Sequence, residues 1–154
     1  MFKLRSKKKI QEELELDKSI RHIVYKIVQV IVQSRLGSKI RTYCKPICYA
    51  NDYFGIAIND VPDVLTQSKI LLESGPIINK LPLSIEISLK TVDGNSLVLE
   101  NWKFGISSDD PGSNTKSSNN FYNEVNLLLR SLIAASRAMP AYKLSRNQEP
   151  NAYT

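Results

Sequence analysis

The residues best suited to metal binding or acid–base chemistry are two cysteines and one histidine. Cys44 and Cys48 are the only cysteines, and His22 is the only histidine. A tetrahedral zinc site needs soft or imidazole ligands beyond these two thiols, and the sequence near them supplies none. We therefore expect two reduced thiols, no metal and no cofactor. His22 follows Asp17 and Lys18 on the polar side of a predicted helix, which favours a surface residue over a ligand or a base.

Two glutamates are the other candidates for chemistry. Glu86 and Glu100 lie on the two arms of a predicted hairpin, where a close carboxylate pair can divide the roles of acid and base. Alternate carboxylates on an exposed sheet face are, however, usually solvated groups. The sequence contains no glycine-rich phosphate loop, no Gly-x-Ser-x-Gly elbow and no His-Glu-x-x-His motif. We therefore predict no catalytic residues and a protein that is not an enzyme.

The positive charge of the chain is concentrated at its N-terminus. The formal net charge is +6, and the first nine residues supply five of these charges through Lys3, Arg5, Lys7, Lys8 and Lys9. The rest is nearly neutral, so nucleic acid is not the expected partner. We expect residues 1–10 to form a basic flexible arm. A basic-arm module that binds membrane weakly through residues 1–9, or binds nucleic acid, is the alternative function.

Neither a membrane span nor a secretory signal is predicted. The sequence has no uninterrupted apolar run of about eighteen residues, and its basic start leads into Gln11-Glu12-Glu13 instead of an apolar segment. We therefore expect a cytoplasmic, cytosolic protein.

The clearest helix is predicted over Asn119–Arg137. Its apolar residues recur at steps of three and four and form one stripe: Tyr122, Val125, Leu128, Leu129, Leu132 and Ile133. Pro140 prevents the helix from continuing. The pattern over residues 141–146 then predicts a short strand.

Two further helices are predicted upstream. One covers residues 11–35 and ends before Gly37. The other covers residues 60–73, with Asp60 as its cap and Pro62 in its first turn. The apolar side of this second helix is predicted to contain Val64, Leu65, Ile70, Leu71 and Leu72.

Strands are predicted in two regions. Residues 38–59 mix β-forming and turn residues, which indicates either a bent strand pair or a strand followed by a loop. Residues 83–90 alternate strictly between apolar and polar side chains, as in a strand with one buried face. The Asp93-Gly94 dipeptide predicts a hairpin turn, after which residues 96–104 return as the second strand.

The register of this hairpin has two alternatives. A two-residue loop places Leu89 opposite Val98 and Ile85 opposite Trp102, whereas a three-residue loop places Leu99 opposite Leu89. A shift of one residue exchanges the faces of a strand. The sequence therefore leaves Trp102 undecided between the core and the surface.

Together these elements predict one domain of the α+β class, in which helices pack on one side of an antiparallel sheet. The chain has 154 residues, of which 42% are hydrophobic. This length is sufficient to bury about two thirds of the unfolded surface. We expect the domain to cover residues 11–148, followed by a divergent tail over 149–154.

Four blocks of sequence, in this order, resemble the N-terminal HORMA domain of the autophagy-related protein 13 family: Lys26–Gly37, Tyr53–Pro62, Ile85–Thr91 and Leu127–Gln148. The resemblance extends from about Ile20 to Gln148. Four blocks at compatible separations are more specific than any single motif. Within these blocks, the segments Pro140–Arg146 and Ser88–Thr91 are the most characteristic.

The resemblance implies a non-catalytic scaffold in the kinase complex that initiates autophagy. The family pairs with a companion HORMA subunit, autophagy-related protein 101, and helps to recruit autophagy-related protein 9 to the phagophore assembly site. It binds the initiating serine/threonine kinase through a C-terminal tail that is absent here. The implied pairing surface contains Ala135, Arg137, Pro140 and Tyr142. An implied anion-binding function falls on Arg130, Arg137 and Arg146, without an assignment among them.

One departure from the family concerns the end of the chain. Family HORMA domains continue past the Leu-Ser-Arg block into further strands, including a C-terminal safety belt. Here the sequence ends at Thr154. We therefore expect safety-belt strands to be missing and the sheet to keep unpaired edges.

Overall fold

A long N-terminal helix, α1 (Phe2–Gln33), packs against two of the other helices in the computed structural model. The structure describes residues 2–36, 43–44, 54, 56–107 and 118–146. After α1, the elements in chain order are β1 (Tyr43–Cys44), β2 (Ile56–Ala57), α2 (Pro62–Leu72), a 3-10 turn (Ile77–Lys80), β3 (Leu83–Lys90), β4 (Ser96–Phe104), α3 (Ser118–Ala138) and α4 (Pro140–Arg146).

Helix α1 has one buried half and one exposed half. It begins at Phe2, well before the predicted start at Gln11, so the helix runs through the segment predicted as a basic arm. The flexibility of that segment stays a prediction. Lysine, glutamate, glutamine and leucine, which favour helices, dominate residues 7–16. The side chains of residues 8–16 are exposed, and the buried stripe starts at Ile23.

The core lies between α1, α3 and one face of the β3–β4 hairpin. Its main cluster joins Ile27 and Ile31 of α1 to Leu129 of α3. The partly buried side chains that pack on this cluster from the hairpin are Ile85, Ile87, Trp102 and Phe104. A second, smaller cluster connects α1 to Leu72 and to Ile77 of the 3-10 turn. The opposite face of the hairpin is exposed, which matches the predicted arrangement with helices on one side.

Helix α2 lies within the predicted range, but the predicted cap and the predicted apolar side are wrong in part. The residue before the helix is Val61, not Asp60, and no side chain caps the helix. The Asp60 carboxylate accepts a bond from Lys26 Nζ at 2.8 Å instead. Ile70 and Leu71 are exposed, because the face turned toward α1 carries Ser68 and Leu72.

The β3–β4 hairpin has the predicted strands and a mixed register. Ile85 faces Trp102, as in the two-residue alternative, but Leu89 faces Leu97, which neither alternative predicted. A bulge at Leu99 separates the two registers. The turn closes with three residues, and Gly94 adopts a φ of 82°, which glycine accommodates without strain. Trp102 is half-buried against the core.

Strands β1 and β2 form a separate antiparallel pair, with Tyr43 opposite Ala57. Of the two alternatives predicted for residues 38–59, the structure therefore shows the strand pair in the part that it describes. Cys44 lies in β1, whereas Cys48 lies outside the described residues. The long loop predicted after Phe104 falls mostly outside them as well, as does the tail over 149–154.

The segment after α3 is a helix, and the predicted strand over 141–146 is wrong. Pro140 ends α3 because it cannot continue the hydrogen-bond ladder, but its fixed φ suits the first turn of a new helix. The buried residues Ala141 and Ser145 are four positions apart, which is a helical step and not a strand step. The Tyr142 N–H donates to the Met139 carbonyl at 3.1 Å across the junction.

The fold is therefore α+β, as predicted, with two two-stranded antiparallel sheets among the described residues. None of the helices within the described ranges is long and apolar enough to cross a membrane.

Candidate partner-binding surface

The end of α3 and the short helix α4 bring the four predicted pairing residues into one region of the chain. Arg137 lies in the last turn of α3, where a positive charge suits the helix dipole. Ala135, Arg137 and Pro140 are exposed, and Tyr142 is half-buried. Leu144 adds an exposed apolar side chain to α4, with half of its surface accessible. This region, Ala135–Arg146, is called the α3–α4 surface below.

The three arginines predicted as anion ligands are all exposed, but they do not form one group. The Arg146 guanidinium lies 5.9 Å from the centre of the Tyr142 ring, in cation–π geometry. Arg130 precedes Arg137 by two turns of α3, which is about 10 Å along the helix axis. Their role in anion binding stays a prediction.

A cluster of buried polar side chains lies beneath the α3–α4 surface and joins the end of α1 to β4 and α3. The Arg35 guanidinium donates to Glu100 Oε2 of β4 through Nε at 3.1 Å and through Nη2 at 2.6 Å. Its Nη1 donates to the Ser136 carbonyl of α3 at 2.9 Å and to Ser34 Oγ at 2.7 Å. Trp102 Nε1 donates to the same Glu100 oxygen at 2.8 Å. We call Ser34, Arg35, Glu100, Trp102 and Ser136 the Arg35 cluster.

The electrostatics of this cluster make it sensitive to the loss of either charge. The Arg35 and Glu100 side chains are only 8% and 4% exposed, so neither can regain water if its partner is removed. Glu100 Oε1 is buried without a hydrogen-bond partner in the described part of the chain. The attraction between Arg35 and Glu100 and the hydrogen bonds to Glu100 Oε2 must therefore offset the free-energy cost of burying this carboxylate.

Helix α4 is attached to the same group. Ser145 Oγ lies 3.4 Å from the Ser34 carbonyl and donates to the Tyr142 carbonyl at 2.8 Å. A small cleft of about 70 Å³ separates α4 from the hairpin and is lined by Arg35, Leu99 and Leu144 among others. Buried hydrogen bonds thus fix the backbone that carries the exposed residues of the α3–α4 surface.

Sequence reasoning missed the Arg35 cluster and misplaced Glu100. Glu86 is exposed and pairs with Asn101, whereas Glu100 pairs with Ile87 on the core side, so the two carboxylates lie on opposite faces of the hairpin. The prediction of two solvated carboxylates is therefore correct for Glu86 and wrong for Glu100, which is buried. The available signal was Arg35 itself, because it directly follows the apolar stripe of α1 and needs an anion if that stripe is buried.

The histidine and the acidic residues do not form a metal site in the described ranges. His22 is half-buried, and its Nδ1 lies 2.8 Å from the Lys18 carbonyl one turn earlier. No group of three or more potential metal ligands occurs among the residues that the structure describes.

The α3–α4 surface lies within the part of the chain that matches a known family model. That model, autophagy-related protein 13, matches residues 90–153, which contain β4, α3 and α4. Relatives extend the similarity over most of the chain. The Drosophila melanogaster autophagy-related protein 13 homolog is 40% identical over 156 residues, which cover 92% of this chain. The mouse and human autophagy-related protein 13 sequences are each 41% identical over 139 residues, or 90% of this chain.

The chain belongs to the autophagy-related protein 13 family. It spans less than a third of the length of these curated relatives: 30% of the fly protein, 27% of the mouse protein and 26% of the human protein. The resemblance stated from the four sequence blocks is thereby confirmed at the level of the family. Membership supports an autophagy-related role for the chain.

Proposed function

We propose that this chain is a non-catalytic HORMA-type adaptor of the kinase complex that initiates autophagy. In this proposal the α3–α4 surface binds a companion HORMA subunit, autophagy-related protein 101. Membership of the autophagy-related protein 13 family supports the autophagy role. The supporting observation from the structure is that Arg137 and Tyr142, five positions apart, each lie next to or near a residue that hydrogen bonds to the Arg35 cluster: Ser136 and Ser145.

The chemistry of the surface fits a protein partner. Interfaces are enriched in arginine and tyrosine, and their centres contain residues that are held rigidly before binding. Arg137 supplies a planar donor group, and Tyr142 supplies an aromatic face with Arg146 beside it at 5.9 Å. Leu144 and Met139 add exposed apolar area around them. An acidic group on the partner would be the natural acceptor for Arg137.

Further functions are proposed for the whole family member and extend beyond this chain. They are recruitment of autophagy-related protein 9 and binding of the initiating serine/threonine kinase through a C-terminal tail. The proposed place of action is the cytosol and the phagophore assembly site.

The test of the pairing surface is a charge reversal at Arg137. We expect Arg137→Asp to weaken binding of autophagy-related protein 101 by about 2–5 kcal/mol, because reversal leaves a charge on each side unpaired. Isothermal titration calorimetry on the two purified proteins measures this change. Since Arg137 is exposed, the thermal midpoint of the variant alone should stay within about 2 °C of the parent.

Lys69→Asp is the matched control, because Lys69 is also an exposed basic residue in the last turn of a helix. It should leave the dissociation constant unchanged. An unchanged dissociation constant for Arg137→Asp would remove this residue from the interface. Equal weakening by both variants would show that net charge, and not this surface, determines the affinity.

A further inference from the structure

The N-terminal half of α1 borders an open apolar groove. The groove has a volume of about 580 Å³ and lies between α1 and the segment that joins α2 to the 3-10 turn. Its apolar lining comes from Ile10, Leu14, Leu16, Ile20, Pro76, Ile77 and Ile78. Ile10 and Leu14 are each 53% exposed, and Ile78 is 58% exposed. Apolar side chains of this size, grouped along one groove, indicate a surface that another molecule covers.

The helix that forms one wall of the groove lacks partners along much of its length. Residues 8–16 are exposed on every face of α1. A helical segment of this length is marginal in water without tertiary packing. A second helix in the groove would supply that packing.

The charges of this segment indicate which charges a second helix in the groove should carry. Residues 3–9 contribute five positive charges and no negative charge, whereas residues 12–17 contribute four negative charges and no positive charge. The order is symmetric about Gln11: Arg5, Lys7 and Lys9 lie at the same distances from it as Asp17, Glu15 and Glu13. A helix with this pattern is complementary to a copy of itself that runs in the opposite direction.

We propose that the groove and the N-terminal half of α1 form a homodimer interface, in which the two α1 helices pair antiparallel around Gln11. Lys8 and Lys9 of each copy then lie within one helical turn of Glu12 and Glu13 of the other. Ile10 and Leu14 of both copies meet near the two-fold axis, where they cover each other's exposed surface. Such an interface is isologous, because the same surface is used by both subunits.

The charge pattern also separates this partner from a lipid surface. Glu13, Asp17 and Glu73 line the groove itself, and Glu12 and Glu15 are exposed beside it. An anionic membrane that attracted the basic residues would be repelled by these carboxylates within two helical turns. A second α1 helix satisfies both halves of the pattern at once.

The experiment is a charge-swap series measured by sedimentation equilibrium on the whole chain. The wild type should show a mass approaching twice the 17.4 kDa of one chain as its concentration is raised toward about 100 µM, and less association at high salt. Lys8→Glu/Lys9→Glu and Glu12→Lys/Glu13→Lys should each raise the dissociation constant at least about tenfold, because each opposes like charges. An equimolar mixture of the two variants should associate again. Every charged residue between positions 8 and 13 is acidic in the first variant and basic in the second, so the two helices attract each other.

Two controls keep the result specific. Lys90→Glu/Lys103→Glu changes the net charge by the same amount as Lys8→Glu/Lys9→Glu, but on the exposed part of the β3–β4 hairpin. It should leave the dimer intact. Ile10→Asp should abolish the dimer, because it places a carboxylate next to the axis and opposite Glu12 of the other copy. A wild type that stays monomeric throughout the concentration series would overturn the proposal. So would a mixture of the two charge variants that remains monomeric, or binding of monomeric wild type to phosphatidylserine vesicles that Lys8→Glu/Lys9→Glu abolishes.

Discussion

The two halves of α1 belong to one continuous helix but lie in different environments. From Ile23 to Gln33 the helix is covered by α2, α3 and the hairpin, and Ile31 is only 1% exposed. From Lys8 to Leu16 each side chain is exposed, and Ile10 is 53% accessible. Over the C-terminal half, packing against neighbours holds the helix. Over the N-terminal half, only local propensity and neighbouring side chains support it.

The ion pairs along α1 differ in the same way. Lys8 and Glu12 approach to 3.9 Å with side chains that are 80% and 65% exposed, so water competes with their attraction. Arg35 and Glu100 approach to 2.6 Å with 8% and 4% exposure. The first pair contributes little to stability. The Arg35–Glu100 pair is shielded from water, so removing one of the two residues would leave the charge of the other buried without a partner.

The largest effect should come from breaking the buried pair. Arg35→Ala removes the partner of a carboxylate that the core cannot solvate, and we expect it to lower the free energy of unfolding by about 3–5 kcal/mol. Urea unfolding followed by circular dichroism measures the change. The double variant Arg35→Met/Glu100→Leu should be more stable than Arg35→Ala alone, because it removes the unpaired charge as well. A double variant at least as unstable as Arg35→Ala would show that the hydrogen bonds to Ser136 and Trp102 dominate over the charge.

The same residue type tests the apolar difference between the two halves. Ile31→Ala should cost about 2–5 kcal/mol, because it leaves a cavity at a fully buried position. Ile10→Ala should change the unfolding free energy by less than about 0.5 kcal/mol at concentrations where the chain is monomeric, because Ile10 is half-exposed. Urea unfolding at low protein concentration measures both. Equal costs would mean that the N-terminal half is packed in solution.

A smaller effect than those of Arg35→Ala and Ile31→Ala should come from Asp17, which lies between the two halves. Its carboxylate accepts bonds from Arg21 Nη2 and from the Ile77 N–H, each at 2.7 Å. Burial raises the pKa of Asp17, but the hydrogen bonds from Arg21 and Ile77 and the charge of Arg21 outweigh it, so the pKa lies below its ordinary value. We expect Asp17→Asn to cost about 1 kcal/mol at neutral pH.

The pH dependence of that cost has a definite direction. A carboxylate with a lowered pKa in the folded state contributes stability above its unfolded pKa of about 3.9, and this contribution is lost as the pH falls through the lower folded value. The difference between wild type and Asp17→Asn should therefore be constant from neutral pH down to about pH 5 and shrink below about pH 4. Thermal unfolding at a series of pH values measures it. A difference that persists undiminished at the acid end would assign the effect to packing.

Local pattern determined most of the secondary structure. The strict alternation of residues 83–90 and the Asp93-Gly94 turn specified β3, β4 and their pairing, because a half-buried strand and a left-handed glycine have direct sequence signatures. The same holds for the ranges of α3 and α2. The predicted stripe of α3 is correct at Val125 and Leu129 but wrong at Tyr122 and Leu128, which are each 48% exposed. Family membership could also be recognised from four short blocks, since their order and separations carry more information than any one motif.

Tertiary structure decided which side chains are buried where the local pattern allowed two answers. The bulge at Leu99 turns Glu100 and Trp102 toward the core, and Glu100 is tolerated there only because Arg35, 65 positions away in sequence, reaches it. The helix after Pro140 forms because Ala141 and Ser145 pack inward at a helical step, although residues 141–146 also fit a strand. The amino-acid sequence by itself shows the periodicity of apolar residues and the residues that favour turns, and both of these are local properties. It does not state which distant group will satisfy a buried charge, because that depends on which surfaces the folded chain brings together.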